Sequence, residues 1–274
     1  MEIKIDLPNL YGNLNIMVAN QSLTIIMYHY VRPIINSEHP RIKGLELNSF
    51  YSQLDYIEEN YVIINTEDVI KAVLDNRKLP PNACWLTFDD GYKDHIKYVM
   101  PELINRKISG AFFLPRSSIA DSEVLNINSI HYILSSNNNI DELINDLNFL
   151  CKECGITNDQ IYTYYKVHGV ASRFDNAKTI YVKRMLQHIL SEEIRNKIIS
   201  VLFEKYVGIS KQNFSKELYM DMDDISQLIK NDMYVGSHGS AHHRLDLLSE
   251  SKQTKDIASS LEFLESVGAP TSRW

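Results

Sequence analysis

Along the first third of the chain, short apolar runs alternate with stretches whose apolar positions recur at helical spacing. Leu23 to Tyr28 is apolar and β-branched and predicts a buried strand. Leu47 to Ile57 carries Phe50, Leu54 and Ile57 on one helical face. Tyr61 to Ile64 predicts a strand, and Thr66 is placed to cap a helix with Val69, Ile70, Val73 and Leu74 inward. Pro80 and Pro81 end that segment. Ala83 to Phe88 predicts the next strand, running into two aspartates, and the helix after it carries Ile96, Val99, Leu103 and Ile104, with a kink expected at Pro101. Ala111 to Leu114 is a further strand. Short strands alternating with helices imply parallel β/α units.

After Pro115 the rhythm changes. From about Ile127 to Lys230 strand signals almost vanish, and Ile140–Leu150 and Val182–Leu202 are apolar at helical spacing. The β/α rhythm returns with a short strand at Met233–Val235 and a helix capped by Ser249 that carries Ile257, Leu261, Leu264 and Val267. The expected organisation is residues 1–115 as the first part of one α/β domain, 116–230 as a helical insertion, and 231–274 as the second part.

Composition narrows the function classes. Hydrophobic residues make up 44% and charged residues 23% of the 274 positions, values of a globular chain. The net charge of −7 argues against nucleic acid or an anionic membrane as partner, because phosphate binding needs clustered Lys and Arg. The longest apolar run, Leu23 to Val31, is too short to span a bilayer. The opening MEIKIDLPNL lacks the pattern of a signal peptide, and three cysteines form no disulfide framework, so a cytoplasmic location is expected.

Two motifs carry chemistry. Thr87-Phe88-Asp89-Asp90-Gly91-Tyr92 follows directly on an apolar strand. Adjacent carboxylates at a strand end are costly to desolvate unless a cation or proton lies close. Taken alone, Asp-Asp-Gly also reads as an ordinary turn with Asp89 capping the next helix. The second motif, His238-Gly239-Ser240-Ala241-His242, follows the strand at Met233–Val235. Two histidines four apart can converge on one metal, and such a pair also arises as solvated or capping residues. Both motifs follow strands of one β/α chain, so both fall at the same end of its sheet, which favours a hydrolytic metal site.

TFDDGY followed downstream by SHGSAH resembles the polysaccharide deacetylases, the NodB-homology or carbohydrate esterase family 4 group, whose motifs are T-F-D-D-G and H-[ST]-x-x-H. Met27-Tyr28-His29-Tyr30-Val31 is similar to a segment that opens such domains, and Ser109 to Leu114 to the strand after the first motif. The resemblance covers roughly residues 22–115 and 231–268 and departs at Gly239, where the family has a hydroxyl residue. It implies a deformed (β/α) barrel, one divalent metal and hydrolysis of an N-acetyl group on a sugar of a bacterial cell-surface polysaccharide or its precursor. Carried over residue by residue, Asp90, His238 and His242 are the metal ligands and Asp89 is the general base. Tyr92, Ser237 and His29 are candidates for supporting or substrate contacts. The donor set suits zinc, and also cobalt, nickel or iron. The family's third motif and its catalytic acid would fall beyond Trp274. No acid is assignable, the barrel is expected to be incomplete at its C-terminus, and oligomerisation could close it. The alternative is a catalytically incomplete metal-binding protein with a scaffold role; hydrolysis of another C–N bond is a third reading.

The remaining features have plain explanations. Cys151-x-x-Cys154 reads as two partly buried thiols on a helix, and His95, His131, His168 and His188 as packing or surface residues. His243 is expected to be exposed. Tyr162, Tyr164 and Tyr165 read as a small packing cluster. Asp221 to Asp224 reads as acidic charge at a helix start.

Overall fold

The computed structural model describes residues 2–6 and 22–270, in two compact units. Among the described residues, the first is formed from 2–6, 22–33, 44–122 and 216–270, and the second from 34–43 and 123–215.

The first unit is built on a mixed sheet. Its strands are β1 (Glu2–Asp6), β2 (Ser22–Tyr28), β5 (Val62–Ile63), β6 (Ala83–Asp89), β7 (Ala111–Leu114) and β8 (Tyr234–Ser237), while β3 (Val31–Arg32) and β4 (Leu45–Glu46) pair separately. The order is β1-β2-β6-β7-β8, with β5 also on β6. β1 runs antiparallel to β2, and every other pairing is parallel. Helices α1 (Leu47–Asn60), α2 (Thr66–Leu74), α3 (Met100–Arg106) and α4 (Arg116–Ala120) alternate with these strands. Chemically this is the β/α alternation that the apolar runs predict; the antiparallel β1 was not anticipated. Among the described residues the strand pairings do not close the sheet into a barrel.

Strand β6 is central and buried on both faces, which is why it reads as a near-continuous apolar run. Register then stacks aromatic rings across three strands. Tyr28 pairs with Phe88 and Phe88 with Phe112. Their rings stack at 5.2 Å and 4.8 Å, and Phe50 of α1 meets Tyr28 edge-on at 5.2 Å. Gly110 leaves room for this stack, since a Cβ there would lie 2.8 Å from the Phe88 ring.

Local details depart from expectation in instructive ways. The cap of α2 is Asn65, whose side chain accepts from Asp68 N–H; Thr66 instead accepts the Trp85 indole N–H at 3.0 Å. Pro101 sits in the first turn of α3, where its missing N–H is harmless, and a π-helical turn (His95–Val99) precedes it.

The second unit is helical: α5 (Asn126–Ser136), α6 (Ile140–Glu153), α7 (Asn158–His168), α8 (Ala177–Arg184) and α9 (Glu192–Val207). The apolar stretch Val182–Leu202 is two helical segments, because Leu190 and Ser191 take extended backbone and Glu192 and Glu193 open a new first turn. Tyr132, Phe203 and Phe214 pack ring against ring in its core. Tyr165 meets Tyr181 edge-on, whereas Tyr162 is exposed. Cys151 is buried on α6, which pushes its thiol up to about 12 and keeps it protonated, so Cys151 and Cys154 fit the packing role.

The chain returns through α10 (Lys211–Leu218) and α11 (Met222–Lys230) to β8, and α12 (Glu250–Ser266) follows. The acidic run at the start of α11 is a capping box, with Asp221 and Asp224 each bonding the other's backbone N–H. No helix among the described residues is long and apolar enough to cross a membrane.

Because Phe88 joins β2, β7 and α1 through one ring, Phe88→Ala is expected to cost about 3–5 kcal/mol of stability, measured by urea unfolding. A loss below about 1 kcal/mol would show that the stack is not the centre of this core.

Candidate metal centre

The site begins where β6 ends. Asp90 and Gly91 are both left-handed, with φ of 70° and 64°. Asp tolerates that region better than most residues. Gly91 has a second reason, since a Cβ there would stand 3.2 Å from Leu114 Cδ2. The turn is pinned by Met220 N–H, which donates to Gly91 O at 2.9 Å. Tyr92 is fully buried, stacked on Tyr30 at 4.3 Å and on Tyr219 at 6.0 Å. Its hydroxyl donates to Asp90 Oδ2 at 2.5 Å, which fixes the carboxylate.

Parallel pairing of β7 and β8 brings the second motif to the same end of the sheet. His238 N–H donates to Leu114 O at 2.9 Å, and Gly239 N–H to Ser237 Oγ at 3.0 Å. His238 Nε2 then lies 3.4 Å, and His242 Nε2 3.6 Å, from Asp90 Oδ1. The three ligand atoms all fall within 4.8 Å of one another.

This trio fits a metal ion. Asp90 Oδ1 and His238 Nε2 are buried and have no hydrogen-bond partner despite their approach. Buried polar atoms without hydrogen-bond partners are rare and expensive. Tetrahedral nitrogen and oxygen ligands at about 2.0–2.1 Å from zinc stand roughly 3.4 Å apart, close to the two separations seen here.

Electrostatics divide the two aspartates. Burial raises Asp90, but the facing His238 and Tyr92 and the imidazoles of His242 and His29 outweigh it and hold the carboxyl well below its usual range. Asp89 is raised: burial dominates, His238 and His29 offset it in part, and the Asp90 charge adds to it. Ionised Asp90 is therefore an acceptor, while Asp89 holds a proton more readily. The histidines divide too. Burial lowers His238, but Asp90 and Asp89 carry it above its ordinary value. His242 is lowered, by burial first and against the pull of Asp90.

His29 enters the site through register. Tyr28 pairs with Phe88, so His29 stands level with Asp89 at the strand ends, and its charge acts on Asp89, Asp90 and His242. Its carbonyl accepts His95 Nε2–H at 2.8 Å, leaving His95 Nδ1 without a partner. Thus Asp89, Asp90, Tyr92, His29, Ser237, His238 and His242 all lie at one end of the sheet. Ser237 contributes by holding the Gly239 backbone.

No protein-family model and no curated protein matches the chain. Similar solved structures include a Streptococcus pyogenes deacetylase, PplD, in complex with acetate, at 13% identity and TM-score 0.47 over 89% of this chain and 67% of that one. IcaB from Ammonifex degensii matches at 12% identity and TM-score 0.43, over 89% of this chain and 69% of its own. A de-N-acetylase from Aggregatibacter actinomycetemcomitans matches at 12% and 0.48, over 89% and 74%. What the site can do is read below from its own residues.

His95 beneath the site makes stability depend on pH. Burial brings its imidazole down to about 4 from an ordinary 6.5. Between those values the unfolded chain binds a proton that the folded chain refuses. Its contribution is intact above pH 6.5 and is lost as the pH falls toward 4, by about 3 kcal/mol in all. Urea unfolding at a series of pH values should show a shallower acid-side loss for His95→Leu than for the wild type. Equal slopes would remove His95 as the cause.

Proposed function

We propose that this chain is a metal-dependent carbohydrate de-N-acetylase, a hydrolase of non-peptide C–N bonds acting on an N-acetylated sugar of a bacterial cell-surface polysaccharide or its precursor. The observation that carries the reading is the meeting of Asp90, His238 and His242 beside a second carboxylate, Asp89, of raised proton affinity. The alternation of parallel strands and helices supports reading the first unit as part of a deformed (β/α) barrel of the NodB type, with the helical stretch as an insertion.

Amides are poor electrophiles. Asp90, His238 and His242 would hold a divalent cation, zinc by the chemistry of the donors, which would supply polarisation of the amide carbonyl and easier ionisation of a water. Asp89 takes the proton of the attacking water, a task suited to a carboxylate whose proton affinity burial raises. Tyr92 keeps Asp90 oriented through the 2.5 Å bond to Oδ2, leaving Oδ1 for the cation. The leaving amine needs a proton, and we propose as its donor His29, which stands level with Asp89 at the strand ends and outside the ligand set.

Native mass spectrometry and acetate release from N-acetyl sugars test the reading together. The wild type is expected to hold one metal per chain, and His238→Ala none. Asp89→Asn and His29→Ala should keep the metal and lose acetate release by about 10²–10⁴-fold each. Acetate release that persists at the wild-type rate in Asp89→Asn would sink the mechanism.

A further inference from the structure

The loop from Ser237 to His243 supplies two of the three candidate ligands, in a conformation that a free loop would not keep. Gly239 has φ of 77° and His242 φ of 54°. A left-handed histidine persists only where its surroundings over-determine it. One side of the loop is held by backbone: Arg116 N–H and Ser117 N–H donate to the carbonyls of Gly239 and Ser240, at 3.2 Å and 2.7 Å. The other side is held by a side chain, Asp256 of α12.

Asp256 is 8% exposed. Its Oδ1 accepts Ser240 N–H at 2.9 Å, and its Oδ2 lies 3.4 Å from His243 Nδ1. An apolar residue at this inward position of α12 would pack without the cost of desolvating a carboxylate. The carboxylate's partners are both on the loop. It also accounts for Gly239, where the family resemblance has a hydroxyl residue: a Cβ there would stand 3.1 Å from Asp256 Oδ1, and φ is already left-handed.

We propose that Asp256 is a positioning residue that holds the His238–His242 loop in its metal-binding conformation, by tying Ser240 and His243 to α12. This rests on the reading of Asp90, His238 and His242 as the metal site.

The test uses the full chain, with Co(II) as the probe. Co(II) affinity is measured by competition with a chelator, Co(II) absorption reports the ligand field, and hydrogen exchange is followed on the metal-free protein. Asp256→Ala is expected to weaken Co(II) binding about 10–100-fold and to alter the absorption spectrum. It should also speed exchange at residues 238–243, with the thermal midpoint and the exchange of β6 little changed. Asp256→Asn keeps an oxygen for Ser240 N–H and should recover part of the affinity. Wild-type affinity, spectrum and loop exchange in Asp256→Ala would overturn the proposal, while loss of Co(II) in His242→Ala would leave the metal site standing. A wild-type chain that takes up no Co(II) would overturn the metal reading, and the brace with it.

Discussion

A carboxylate buried at the end of a central strand must be given positive partners or a proton, and the first unit is arranged around that requirement. Asp90 is ionised, nearly inaccessible, and left with one oxygen that no donor reaches. Tyr92 satisfies the other oxygen, and its ring is held by stacking on Tyr30 and Tyr219. The two imidazoles that face the free oxygen come from a loop far along the chain. The turns leading to the cluster carry conformational cost at Asp90 and His242, whose backbone is left-handed, while Gly91 and Gly239 take the same region without a Cβ penalty. Such strain concentrates where geometry serves chemistry, and packing elsewhere sustains it.

The aromatic stack beneath the site is that packing. Tyr28, Phe88 and Phe112 hold β2, β6 and β7 in register. The same register sets His29 level with Asp89 and, through Phe113, sets Gly236 of β8 at that level, two positions before His238. Support and site are therefore the same strands read at adjacent positions. Side chains alternate along a strand, so the residue after a core aromatic turns away from the core. Phe88 belongs to the stack and Asp89 to the site.

The two aspartates illustrate how neighbours separate the behaviour of like groups. Both are buried, and burial raises both. Asp90 has Tyr92 and the facing His238 to hold its charge, whereas Asp89 also bears the repulsion of Asp90. One carboxylate thus favours its charge and the other its proton, the division that the proposed roles of ligand and base draw on.

Much of this was legible from residue order. Local periodicity marked β2, β6, β7, α1 and α6, because burial of one face or of a whole strand leaves its imprint on neighbouring residues. The pairs Asp89-Asp90 and His238/His242 were legible because metal and proton chemistry needs specific residue types at short spacing. The interruption at Leu190–Ser191, the Asn65 cap and the strand β1 escaped, since each depends on backbone conformation or pairing that periodicity does not encode. His29 was visible as a candidate, but its place level with Asp89 comes from the register between β2 and β6, which joins residues 60 positions apart. Asp256 reads in sequence as one more polar residue of a helix. Only the folding of α12 against the Ser237–His243 loop turns it into a partner of Ser240 and His243. Local order thus carried the elements and the reactive groups. Proximity, burial and the division of roles between identical side chains arose when distant strands met.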